Sequence, residues 1–151
     1  KAQGQWLLVG ESGTLARSLD QGQTWEAMES PYQGSFFGAL QTRAGTLLAY
    51  GMRGNLWRSV DQGQSWSKIE TATTLAINGS LQQDNGRILA LGNGGIVLAS
   101  DDDGATFHAI NGSSKASLAQ GVQLGNGQVL AVGDHGVTSL AKLVIAKGAK
   151  S

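Results

Sequence analysis

The sequence predicts an all-β chain built from β-propeller blades of four antiparallel strands, about four blades in all. Three observations carry the prediction. A unit recurs at intervals of 41 residues with no insertion or deletion: Trp6 to Met28, Leu47 to Ile69 and Ile88 to Ile110 superimpose, and a fourth copy opens at Val129. Three glycine columns run through the copies, namely Gly10, Gly51, Gly92 and Gly133, then Gly13, Gly54, Gly95 and Gly136, then Gly4, Gly45, Gly86 and Gly127. The residues between them form short apolar runs bounded by turn residues, and only a weak 3.6-residue period near Thr71 to Ala76 suggests any helix. A period near 40 with strand-like content indicates radial blades rather than stacked helical repeats.

The strands of one unit follow in order. Phe36 to Thr42 is strand one, copied as Ile77 to Gln83 and Leu118 to Leu124. Arg43-Ala44-Gly45, Asp84-Asn85-Gly86 and Gly125-Asn126-Gly127 then turn the chain, with glycine supplying the positive φ. Strand two is the run Leu47 to Tyr50, matched by Leu7 to Val9, Ile88 to Leu91 and Val129 to Val132. Such uninterrupted apolar runs fit strands covered on both faces by neighbouring blades. A G-x-x-G turn leads to strand three, Asn55 to Val60, and a second turn to strand four, around Trp66 to Glu70. Four strands per unit is the blade count of a propeller. The units run over residues 1–30, 31–71, 72–112 and 113–147, all within one domain, and the last supplies strands one and two and a long strand three to about Val144.

Composition narrows the function classes. The 151 residues carry 11 Lys plus Arg and 11 Asp plus Glu, so no positive excess points to nucleic acid. No run of 18 uncharged apolar residues is present for a helical membrane span. With no cysteine, disulfides and thiolate chemistry are excluded. Any targeting segment would lie outside this chain, which starts at Lys1 without a signal pattern. Glycine supplies 23 residues against one proline, which suits tight turns better than disorder.

The turn between strands three and four has its own signature. Ser18, Asp20, Gly22 and Trp25 recur as Ser59, Asp61, Gly63 and Trp66, and as Ser100, Asp102, Gly104 and Phe107. This is the Asp-box, or bacterial neuraminidase repeat. Its Asp is expected to accept backbone N–H bonds within its own turn. The glycine tolerates a left-handed backbone, and the aromatic is expected to be buried against the blade. A metal or catalytic reading of Asp101-Asp102-Asp103 is weaker, because two of the three boxes hold a single Asp and keep the rest of the pattern.

With Arg17 and Arg58 before the serine, the compressed unit G-x-x-G-x-[LI]-x-R-S-x-D-x-G-x-[ST]-W most resembles the photosystem II assembly/stability factor family, over residues 4 to about 140. The resemblance implies a seven-bladed propeller without catalysis, acting outside the cytoplasm (periplasm or lumen) as an assembly scaffold for membrane-protein complexes. On that likeness the chain is the C-terminal half of such a ring, expected to associate with the other half or with a second copy. The third unit departs from the pattern at Ala99 and Phe107, and in the fourth Ala141 to Ile145 replaces the box.

Propeller geometry puts the G-x-x-G loops and the inter-blade linkers on one face and the Asp-boxes on the other. Between the fixed glycines the loops vary, offering Glu11, Ser12, Met52, Arg53, Asn93, Asp134 and His135 as candidate partner-binding residues. His135 beside Asp134 has the chemistry of a base or ligand, yet the other histidine, His108, lies towards the opposite face, so no metal or cofactor is expected. Arg17 and Arg58 serve either a basic stripe or local pairing, while Trp6 and Trp57 read as inter-blade core. The rival functions are a sialidase-like or other Asp-box glycoside hydrolase and a non-hydrolytic carbohydrate-binding propeller. Against hydrolysis, Tyr50 lies in an apolar column and Tyr32 in a linker, and Glu11 and Asp134 stand three blades apart where a carboxylate pair needs about 5–9.5 Å.

Overall fold

The computed structural model of the protein describes residues 5–110 and 115–140. Four antiparallel sheets follow the repeat. Blade one contains β1 (Trp6–Val9), β2 (Leu15–Ser18) and β3 (Glu26–Ala27) in that spatial order. Blade two contains β4 (Phe36–Gln41), β5 (Leu47–Gly51), β6 (Leu56–Ser59) and β7 (Ser67–Lys68). In blade three β8 (Ile77–Gln82), β9 (Ile88–Gly92), β10 (Val97–Ser100) and β11 (His108–Ile110) repeat that order. Blade four has β12 (Leu118–Gln123), β13 (Val129–Gly133) and β14 (Gly136–Ser139). The fold is all-β and propeller-like. Residues 71–76 form an irregular linker instead of a helical turn: Thr71 donates its hydroxyl to the Gly54 carbonyl of the loop, and Thr73 Oγ1 accepts the Leu75 N–H. Strand three of the last unit ends at Ser139, and the expected extension to Val144 lies outside the described residues.

Neighbouring blades stack face to face, and the innermost strands β4, β8 and β12 run alongside one another. The central strand of a blade therefore buries both of its faces. In β9, Ile88 and Ala90 pack towards blade two with Leu48, Tyr50 and Leu56, while Leu89 and Leu91 pack towards blade four with Leu118, Val129 and Ala131. Alternation is present, but both phases are apolar, which is why the sequence shows a continuous run.

Each innermost strand carries a bulge at its front end, between Phe36 and Gly38, Ile77 and Gly79, and Leu118 and Gln120. The strands converge closely there. A Cβ on Gly79 would stand 2.3 Å from the Ala119 carbonyl oxygen, a contact no side chain tolerates.

Candidate functional site

On the front face each inner G-x-x-G loop is a single 3₁₀ turn, Glu11–Gly13, Met52–Gly54 and Asn93–Gly95. The two framing glycines have different tasks. Gly51 lets the preceding linker lie against it, since a Cβ there would sit 2.3 Å from the Ser35 carbonyl oxygen. Gly54 takes φ +71 and would carry a Cβ 2.2 Å from the Thr73 oxygen. Linker and loop are also hydrogen-bonded through Met52 N–H to Ser35 O, with the same bond at Asn93 to Ala76 and Asp134 to Ser117. These anchors are buried or half-buried, whereas Glu11, Ser12, Met52, Arg53, Asn93, Asp134 and His135 are all exposed at the tips. The fourth loop differs: Asp134 and His135 form a two-residue turn closing the β13–β14 hairpin.

On the rear face the aspartate accepts N–H and O–H bonds within its own strand-three-to-four turn, as expected, and the serine is its buried partner. Ser59 is buried, accepts the Gly63 N–H at 2.8 Å and donates its hydroxyl to Asp61 Oδ1 at 2.7 Å. Asp61 Oδ1 in turn accepts the Ser65 N–H at 2.9 Å. The same triangle holds at Ser18, Asp20, Gly22 and Thr24, and at Ser100, Asp102, Gly104 and Thr106. The hydroxyl and amide four residues on, with the serine hydroxyl, hold the carboxyls of Asp20, Asp61 and Asp102 at about 2. Two consecutive left-handed residues, such as Gln62 (φ 61) and Gly63 (φ 85), complete the turn.

Arg17 and Arg58 do not form a free basic stripe. Arg17 pairs with Glu26 and donates to the Gln62 carbonyl of the next blade at 3.0 Å. Arg58 donates to the Asp103 carbonyl, also at 3.0 Å. The three successive aspartates have separate partners: Asp101 is gripped by both Nε and a terminal nitrogen of Arg87, Asp102 holds its own turn, and Asp103 meets Thr46 and Arg58. Arg87 keeps the Asp101 carboxyl below its ordinary value. Among the described residues no three His, Cys, Asp or Glu side chains are grouped as a metal site.

The turn aromatics depart from the expected burial. Trp66 packs on the cluster of Leu15, Phe36 and Ala49, and Phe107 on that of Leu48 and Leu98, each half-buried between its own blade and the one before. Trp25 is 44% exposed, because no earlier blade is described for it to meet. Trp6 is exposed at 53% for the same reason, while Trp57 is half-buried beside Tyr32.

One feature of the front face has no signature in the repeat. An open pocket of about 440 Å³ lies between the Arg53 loop, the end of β7 and the linker at Thr71 to Thr74, with Lys68 and Glu70 on its wall.

No family model and no curated protein matches the chain. Solved structures do. One is YCF48 bound to a D1 peptide, with a TM-score of 0.61, 16% identity and coverage of 86% of this chain and 43% of that one. The WD40 β-propeller domain of Doa1 matches with a TM-score of 0.71 and 10% identity, over 91% of this chain and 46% of that one. An ancestral GH74 enzyme matches at 0.72 and 15% identity, over 88% and 20%. The chain spans less than half the length of each. At such identities the likeness is one of fold, and the chain is folded as a set of β-propeller blades.

Proposed function

We propose that this chain is a non-catalytic Asp-box propeller that binds a protein partner through its G-x-x-G face, as a scaffold or assembly factor for a membrane-associated complex outside the cytoplasm. The observation that carries the reading is the contrast within the first three loops, where fixed, buried or half-buried glycine anchors lie under exposed tips, and the tips of all four loops differ in charge from blade to blade. Such tips recognise an extended partner through several modest contacts, with Glu11, Arg53 and Asp134 giving selectivity more than affinity. The likeness to a YCF48 described as bound to a D1 peptide supports this reading. Association with further blades, in a second copy or a longer chain, belongs to the same proposal.

Replacing Met52-Arg53 and Asp134-His135 together by Gly-Ser is expected to abolish partner pull-down and leave the fold intact. The likeness to a GH74 enzyme favours one alternative, a glycoside hydrolase. Turnover of an aryl glycoside by the intact protein, lost in the same variant, would establish that alternative and overturn the scaffold reading.

A further inference from the structure

Arg53 stands apart from the other arginines. Arg17, Arg43, Arg58 and Arg87 each hold a carboxylate or a backbone carbonyl, whereas Arg53, among the described residues, has neither hydrogen bond nor ion pair. Lys68, across the pocket, is likewise unpaired. Arg53 takes the left-handed backbone of its turn, φ 57, as Ser12 (φ 51) and Gly94 (φ 64) do at the same position of blades one and three. The turn thus projects a long side chain from a position where one is disfavoured. A second strained residue lines the same pocket: Ala72 has φ 52, and its counterpart in blade one is Pro31.

The basic pair is absent from blades one and three. The positions matching Arg53, Lys68 and Glu70 in blade one are Ser12, Ala27 and Glu29, so the basic pair is missing and the acid remains. In blade one the residue matching Thr73 is Tyr32, whose ring packs against Phe36 and Trp57 of blade two. In blade two the linker is tied to the base of the loop, Thr71 donating its hydroxyl to the Gly54 carbonyl at 2.8 Å. Between them lies the open pocket, with two unpaired cations and one acid.

We propose that this pocket is a carboxylate subsite, in which Arg53 and Lys68 hold the acidic side chain or the C-terminal carboxylate of an extended peptide. It rests on the reading of the loop face as a protein-binding face and names the chemistry of one contact. The arginine fork matches a carboxylate in two parallel bonds. Two cations against Glu70 leave one net positive charge, which a single carboxylate neutralises.

The test is an amide-shift titration of the ¹⁵N-labelled chain with three heptapeptides of Gly, Ser and Ala. One has a central Glu and an amidated end, one a central Gln and an amidated end, and one a central Gln and a free C-terminal carboxylate. At least one acidic peptide should shift the amides of Gly54, Asn55, Thr73 and Thr74, and which one does identifies the source of the carboxylate; the neutral peptide should not. Arg53→Gly, which copies blade three and keeps the backbone relaxed, should weaken binding about tenfold, and Lys68→Met several-fold. Glu70→Gln should tighten it about two- to fivefold by removing repulsion. Equal shifts from neutral and acidic peptides, indifference to Arg53→Gly in a variant of unchanged Tm, or weaker binding by Glu70→Gln would each overturn the subsite. If no carboxylate binds yet the four-residue loop variant loses pull-down, the subsite falls and the binding face stands. Carboxylate binding with pull-down intact in that loop variant upholds the subsite and overturns the face.

Discussion

Blades one and three are written from the same columns and meet opposite fates. In β9 all five residues are buried, whereas β1 alternates between exposed Trp6 and Leu8 and half-buried Leu7 and Val9. Blade four shows the other phase, with Val129 and Ala131 buried and Val132 exposed at 45%. Burial here belongs to the seam between blades and not to the strand that carries the residue. A terminal blade exposes the half of its alternation that faces away from its neighbour.

The comparison breaks most visibly on core truncation. Ile88→Ala in β9 is expected to cost about 2–5 kcal/mol, and Leu8→Ala in β1 less than about 1 kcal/mol, read from urea unfolding. Comparable losses would show that both strands are equally covered in solution. The rear turns sharpen the contrast. Ser59→Ala leaves the buried Gly63 N–H without its acceptor and should cost about 1–3 kcal/mol. Asp61→Ala should lower Tm by several degrees while partner binding is unchanged, and an unaltered Tm would deny the turn its structural part.

Acid titration reaches all three turns at once. The carboxyls of Asp20, Asp61 and Asp102 sit at about 2 in the folded chain against an ordinary 3.8. Their contribution is thus complete above the ordinary value and is lost as pH falls from there towards 2. Tm measured from pH 6 to pH 2 should decline through that window, and the Asp61→Asn variant should decline less. The smallest effect expected is a gain. Gln62 occupies a left-handed position before glycine, so Gln62→Asn should stabilise by about 0.5 kcal/mol in thermal unfolding.

The glycine columns were enough to place the loops and turns, because a left-handed φ or a close backbone approach admits little else. Period and apolar runs likewise placed every described central strand. What local pattern could not reveal is anything decided by the adjacent blade. Trp25 and Trp66 occupy the same column, yet one is exposed and the other packs on the cluster of Leu15 and Phe36. Arg17 and Arg58 look like surface cations until the neighbouring turn carbonyl is seen beside them. The serine of the turn was legible as a repeated letter, but its part beside the aspartate depends on being buried, which the letter does not state. The pocket beside Arg53 escaped the repeat because it arises where the repeat is broken, in the linker at Thr71 to Thr74.

The arginine bonds between blades all point one way. Arg17 reaches forward to Gln62 and Arg58 forward to Asp103, while Trp66 and Phe107 lean back on the blade before them. Each hairpin is therefore received by a dock that lies earlier in the chain. During synthesis, when the amino end leaves the ribosome first, every new blade meets a surface already built to hold it. Growth in the reverse direction would present each carbonyl before the arginine that holds it, so the ties give the array a direction matched to the order in which it is made.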